Sequence, residues 1–189
     1  MTIETEAYVL REQTGTTGVL QAARTATAAL AHFDIPHLIV GGIAVQEYGY
    51  PRVTIDADIV VPDVLEAAEL ATSDIAGPLQ RVSGVQDKLR DVRTGVFIDL
   101  LPAGGIVKKG CQVPFPKPSV VSDQLQLVTL EELISLKLDS WINSPLRRLR
   151  DETDVVELII RRRLPRTLKL HQAVLASYLK LWDGIQNEL

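Results

Sequence analysis

Three aspartates in this chain stand where carboxylates are costly. Asp56 and Asp58 lie one residue apart in Thr54-Ile55-Asp56-Ala57-Asp58-Ile59-Val60-Val61, and Asp99 interrupts Val96-Phe97-Ile98-Asp99-Leu100-Leu101. The first run alternates and then turns wholly apolar, as a strand does on entering a core. Strand side chains repeat every second residue, so Asp56 and Asp58 share a face with α-carbons roughly 6.5 to 7 Å apart. Asp99 sits in an apolar run bounded by Gly95 and Pro102, where a lone carboxylate needs a partner or a metal. If the two strands are neighbours, three carboxylates converge. Such a cluster can hold two divalent cations about 3.5 to 4 Å apart, one activating a hydroxyl and one bound to a triphosphate. Mg²⁺, or Mn²⁺ in its place, suits these ligands, because it takes a few carboxylates plus phosphate oxygens and keeps some water. The alternatives are an exposed acidic turn, pairing of Asp56 and Asp58 with Arg52 and Arg93, and a buried salt bridge from Asp99 to an arginine.

Upstream, Leu38-Ile39-Val40 reads as a short buried strand stopped by Gly41-Gly42, and Ile43 to Tyr48 has the composition of one or two helical turns. A glycine turn opening a helix leaves backbone N–H groups for an anion, above all a phosphate. A plain turn is the competing reading. Arg52 either holds a phosphate bidentately or pairs with the nearby aspartates. Tyr48 and Tyr50 read as packing residues rather than base-stacking ones.

Gly41-Gly42, thirteen residues, Asp56-Ala57-Asp58 and a later strand aspartate, Asp99, together resemble the nucleotidyltransferase fold of the DNA polymerase beta superfamily. More narrowly, Gly41 to Val45 with Gly49 to Asp58 is similar to the AbiEii/AbiGii-type and MenT-like bacterial group, many of them toxins of toxin-antitoxin systems. Leu136-Lys137, then Arg150-Asp151 and Asp154, is similar to that group's late lysine and R-K-D-x-x-D pattern. The resemblance covers roughly residues 35 to 160. It implies that Gly41 and Gly42 cradle the triphosphate of an NTP, that Asp56 and Asp58 bind Mg²⁺, and that Asp99 is a third ligand or the base for the acceptor. It implies further that Lys137 contacts phosphate or helps deprotonate the acceptor, and that Asp154 orients it. Gly42 stands where many superfamily members carry a serine, and Ala57 where the group often has a larger apolar residue. The implied activity is transfer of NMP to RNA, especially a tRNA end, or to a protein hydroxyl, with an antitoxin protein as a partner. A small antibiotic is an alternative acceptor, and a nucleotide-binding or regulatory protein without turnover is the reading from another class.

These residues need elements to place them. With 189 residues and 46% hydrophobic content, the chain can bury a sizeable core. The expected architecture is α/β (α+β): a small mixed sheet with flanking helices in residues 1–128, and a helical segment, 129–189, lying on it. A loose tail precedes a helix through Val19, Ala23, Ala26 and Leu30. Pro62 begins a helix through Leu65, Ala68 and Leu70, Leu79 to Ser83 adds a strand, and Asp91 to Thr94 forms a turn. Val113-Pro-Phe-Pro-Lys-Pro118 is a loop flanking the site. Three helices follow Val128, separated by Pro145, Pro165 and cap-like Asp151 or Thr153. On the first, Lys137 falls beside the apolar face of Leu130, Leu133, Ile134, Leu136 and Trp141, partly buried or solvated. The third carries Leu175, Tyr178, Leu179, Trp182 and Ile185.

A net charge of −4 argues against a generally nucleic-acid-binding surface. It leaves room for a local one: Arg147, Arg148 and Arg150, then Arg161, Arg162, Arg163 and Arg166, make a basic patch for a polyanionic acceptor, though Arg161 to Arg163 also read as charge complementing a helix end. The single cysteine, Cys111, excludes an internal disulfide and a cysteine zinc site. His32, His37 and His171 lack metal-ligand spacing and read as surface or element-end residues. No signal-like start and no membrane-length apolar run is seen, which predicts a soluble cytoplasmic protein.

Overall fold

The computed structural model describes residues 17–188; the expected N-terminal tail lies outside them. Helix α1 (Thr17–His32) buries Val19, Ala22, Ala23, Ala26 and Leu30, a stripe whose alanines let the helix approach the sheet closely. Strand β1 (Leu38–Val40) runs directly into α2 (Gly41–Glu47). Strand β2 (Asp56–Val61) is followed by α3 (Val64–Ala71). The Asp63 side chain accepts from Leu65 N and Glu66 N at 2.9 and 3.0 Å, so this helix opens just after Asp63. Three strands follow: β3 (Leu79–Arg81), β4 (Lys88–Asp91) and β5 (Phe97–Pro102). Strand β4 was not legible as a strand, because Lys88-Leu89-Arg90-Asp91 offers a single apolar residue; pairing on both sides makes it one.

The five strands form one mixed sheet in the order β1-β2-β5-β4-β3. Strands β2 and β5 are parallel and central; the other neighbours are antiparallel. Between β4 and β5, Asp91 accepts from Arg93 N and Thr94 N, giving the expected turn. Leu127 forms a parallel bridge to Ile39 on the outer side of β1.

Helices α4 (Leu130–Asn143), α5 (Leu149–Arg162) and α6 (Gln172–Glu188) complete the chain. A reciprocal capping box between Thr129 and Glu132 starts α4. Neither Asp151 nor Thr153 caps α5, which opens at Arg148 without a side-chain cap; both residues lie inside the helix, and Asp151 is spent on an ion pair described below. Arg163, at φ 51°, ends α5 in the left-handed conformation.

Strand alternation separates two cores. Ala57, Ile59, Val61, Ile98 and Leu100 point to the side covered by α1 and α3. Val60 and Leu101 point to the other side, against the helical segment, and Asp56, Asp58 and Asp99 share that second face. His37 stands at an element end, as expected, but not at the surface: it is fully buried, its Nδ1 2.9 Å from Ile35 O, because the short strand after it enters the core at once. Burial lowers its pKa, against the opposing effect of that backbone bond. No helix among the described residues is long and apolar enough to cross a membrane.

Candidate active site

Register places the site. Val40 pairs with Asp58, Asp58 with Asp99 and Asp99 with Lys88, so one row of side chains crosses four strands on one face of the sheet. Asp56 lies two residues from Asp58 on that face. The row floors a cavity of about 600 Å³, within the range of small-molecule sites, about 300 to 1,000 Å³. Lys137 from α4 and Arg148 and Arg150 at the start of α5 form its wall.

Gly41 and Gly42 stand at the end of β1 and line the same cavity. Gly41 has φ +63°, and a β-carbon there would overlap the Asp58 carboxylate. At Gly42 a β-carbon would collide with the Thr54 side chain. The glycine pair therefore makes room for the second aspartate and for the segment leading into it. The first turn of α2 carries no side-chain cap, which leaves its N–H groups without a side-chain acceptor at the cavity edge.

Asp58 is partly buried beneath this turn. Burial, then the charge of Asp56, pushes its pKa up to about 6; Asp99 adds to the shift, and Lys137 and Lys108 oppose it. Neither Asp56 nor Asp58 forms an ion pair among the described residues, and Arg52 and Arg93, considered as their partners, turn elsewhere. A paired set of oxygen donors in electrostatic debt fits a hard divalent cation such as Mg²⁺. Asp99 stands beside Asp58 on the same face, as expected of neighbouring strands, and lines the same cavity, but it is already held by a cation. Its Oδ1 lies 2.6 Å from Lys88 Nζ, and no three His, Cys, Asp or Glu among the described residues are arranged as ligands of one ion. The partner is a half-exposed lysine next in the row, not the buried arginine considered from sequence.

Behind Lys137 the wall is held by an ion network. Arg52 donates Nε and a terminal nitrogen to the two Asp154 oxygens at 2.6 and 2.9 Å, and Lys137 Nζ lies 2.8 Å from both Asp154 Oδ2 and Asp151 Oδ1. Asp154 is fully buried and does not line the cavity. The acceptor-orienting place implied by resemblance does not match this position: Asp154 holds two cations that do reach the cavity, Arg52 and Lys137. Burial raises the Asp151 pKa, but the Lys137 charge and hydrogen bond, aided by Ser140 and Lys108, outweigh it and hold the carboxyl below its ordinary range. Lys137 is the partly buried lysine, not the solvated one.

Other lining residues were not legible as such. Lys88 sits on the unrecognised strand β4. Lys108 belongs to the long segment between β5 and α4, and donates to Ser140 Oγ at 2.9 Å. That segment is pinned by Asp139, which accepts from Gln112 N and Val113 N at 2.8 and 2.9 Å, and Val113 and Phe115 of the expected proline-rich loop line the cavity. Two lysines between Gly105 and Gly110 were the available signal. Tyr48 donates to Val128 O at 2.6 Å and Arg161 lies over the Tyr50 ring, so both tyrosines serve packing. The seven arginines do not form one patch. Arg147, Arg148 and Arg150 mark one end of α5, Arg161 to Arg163 the other, about 20 Å away at 1.5 Å per residue, and Arg166 pairs with Asp183.

The fold has solved counterparts. The chain is similar to the solution structure of the antibiotic-resistance factor ANT(2'')-Ia, at 14% identity over 92% of this chain and 97% of that one, with a TM-score of 0.53. It has the nucleotidyltransferase-like fold. Lower similarity is found to the crystal structure of ANT(2'')-Ia in complex with adenylyl-2''-tobramycin (13% identity, 92% and 98% of the chains, TM-score 0.49). The Thermotoga maritima CCA-adding enzyme complexed with tRNA is also similar (18% identity, 90% of this chain and 44% of that one, TM-score 0.40). No protein-family description and no curated sequence matches the chain.

Proposed function

We propose that this protein is a divalent-metal-dependent nucleotidyltransferase that moves NMP from an NTP to an acceptor hydroxyl, releasing pyrophosphate. The observation that carries the reading is the row Asp58-Asp99, with Asp56 on the same face, set beneath a glycine turn that a side chain at Gly41 would destroy.

Asp56 and Asp58 would hold the cation together with phosphate oxygens and water. The cation, Mg²⁺ or Mn²⁺, would neutralise charge on the triphosphate and favour the ionised acceptor oxygen. The turn at Gly41 and Gly42, which lines the cavity, would offer backbone N–H groups to the triphosphate. Lys137, anchored by Asp151 and Asp154, sets a fixed positive charge opposite Asp58 and contacts phosphate. Arg52 is held in place by Asp154 and offers its outer edge to the cavity. Asp99 would complete the metal's coordination, or take the acceptor's proton, once Lys88 releases it. Positioning supplies much of the rate in such a displacement.

RNA, including a tRNA end, or a protein hydroxyl is the first acceptor class to test. Likeness of fold to an antibiotic-resistance factor makes a small antibiotic the second. Labelled NTPs incubated with the protein, Mg²⁺ or Mn²⁺, and RNA, protein or antibiotic should yield a labelled product with wild type and none with Asp58→Ala. Binding of NTP without any labelled product would favour a binding protein on the same fold. Absence of NTP binding in calorimetry with either metal would overturn both.

A further inference from the structure

A second cavity, of about 320 Å³, opens beside the first and shares Lys108, Ser140 and Arg148 with it. Its remaining charged residues are Lys109 and Arg147, so four cations and no carboxylate line it. The pairing pattern around it is one-sided. Of the four cations that line the first cavity and not the second, Arg52, Lys88 and Lys137 are each bound to an aspartate and, among the described residues, Arg150 is not. None of Lys108, Lys109, Arg147 and Arg148 forms an ion pair among the described residues. Among the described residues Lys108 donates to the Ser140 hydroxyl, and partial burial, then the Arg148 charge, lowers its pKa against the opposing charge of Asp151, which lines the first cavity. Like charges brought together without a counter-ion repel, and the repulsion is relieved by a bound anion. Ser144 and Asn143 add polar groups, and two arginines match the oxygen geometry of phosphate.

We propose that this second cavity is a subsite for a phosphate carried by the acceptor. The inference rests on the nucleotidyltransferase reading, which assigns the first cavity to the NTP. The shared edge at Lys108 and Arg148 then puts the acceptor's phosphate beside the hydroxyl to be modified, and the acceptor belongs to the phosphate esters. The same four charges repel a polycationic acceptor such as an aminoglycoside.

The test is a titration of the full chain with inorganic phosphate, followed by backbone amide shifts, with and without saturating Mg-ATP. Phosphate should shift the amides of Ser144, Arg147 and Arg148 in the presence of Mg-ATP. The double variant Lys109→Glu/Arg147→Glu should weaken that binding by about tenfold or more, with the milder Lys109→Gln/Arg147→Gln acting in the same direction. Its ATP affinity, by calorimetry, should stay unchanged, since neither residue lines the first cavity. Displacement of phosphate by ATP, or equal loss of ATP affinity in the variant, would assign the cavity to the triphosphate and overturn the proposal. Phosphate shifts that are absent, or unaltered in the variants, would overturn it too. A wild type that binds phosphate but no ATP would remove the nucleotidyltransferase reading and the acceptor assignment with it; one that binds ATP but no phosphate would remove the subsite alone.

Discussion

The Asp56-Asp58 end of the cavity floor and the ion network of the wall treat their charges in opposite ways. On the wall, Arg52, Asp154, Lys137 and Asp151 close on one another through four contacts of 2.6 to 2.9 Å, so every buried charge has its opposite. On the floor, Asp56 and Asp58 lie together without a cation, and Asp58 is strained electrostatically enough to titrate near pH 6. Compensated charge fixes geometry; uncompensated charge awaits a ligand. Its ion pairs fix the wall without a ligand, whereas a bound cation would relieve the repulsion on the floor.

The largest effect should come from breaking the wall. Asp154→Ala leaves Arg52 and Lys137, both mostly buried, without their shared partner. Loss of about 3 to 5 kcal/mol of stability is expected in urea unfolding. A change under 1 kcal/mol would show that the network relaxes into solvent.

Removing floor charge should do the reverse. The Asp58 pKa is raised above its unfolded value of 3.8, so the folded state binds more protons between about pH 4 and 6, and stability falls as pH rises through that window. Asp58→Asn should flatten this fall and stabilise the metal-free protein at pH 7, by at most on the order of 3 kcal/mol. It should also lower nucleotide transfer by about 100-fold or more. Thermal unfolding from pH 4 to 7 decides the point, since a steeper fall in the variant would contradict the assignment. Mg²⁺ should restore stability to the wild type at pH 7 and not to the variant.

Gly41→Ala tests the link between turn and floor. Positive φ costs a residue with a β-carbon roughly 1 to 2 kcal/mol, and here the methyl group also meets the Asp58 carboxylate. The cost should shrink in Gly41→Ala/Asp58→Gly, and additivity of the two changes would separate them. The smallest effect is expected of Lys88→Met. Its pair with Asp99 is about a third exposed, so stability should change by less than about 1 kcal/mol. Divalent-cation affinity should rise as Asp99 is released, and unchanged Mn²⁺ binding by calorimetry would place Asp99 outside the metal's reach.

Much of the site was legible because it is written in short-range pattern. The alternation of Thr54 to Val61 puts Asp56 and Asp58 on one face whatever the rest of the chain does, and the apolar setting of Asp99 marks it as unusual. The glycine pair before a helix was legible as a turn, but its reason was not: Asp58, seventeen residues beyond Gly41, occupies the space a side chain would need. Strand β4 and its Lys88 were hidden, since a strand of mostly charged residues is made by its neighbours and not by its own composition. The arginine-rich tail read as one patch because sequence distance ignores that a fourteen-residue helix separates its ends.

Amino-acid order by itself determined most of the elements, though not β4, and the faces on which the aspartates stand, because strand and helix periods are properties of adjacent residues. Which charge meets which was decided by tertiary structure. Arg52 finds Asp154 across 102 residues, and Asp99 finds Lys88 only because β4 pairs with β5. Long side chains reach several partners of opposite sign, and the crossing of elements selects among them. The same crossing gathers Lys108, Lys109, Arg147 and Arg148 around a cavity that no carboxylate lines.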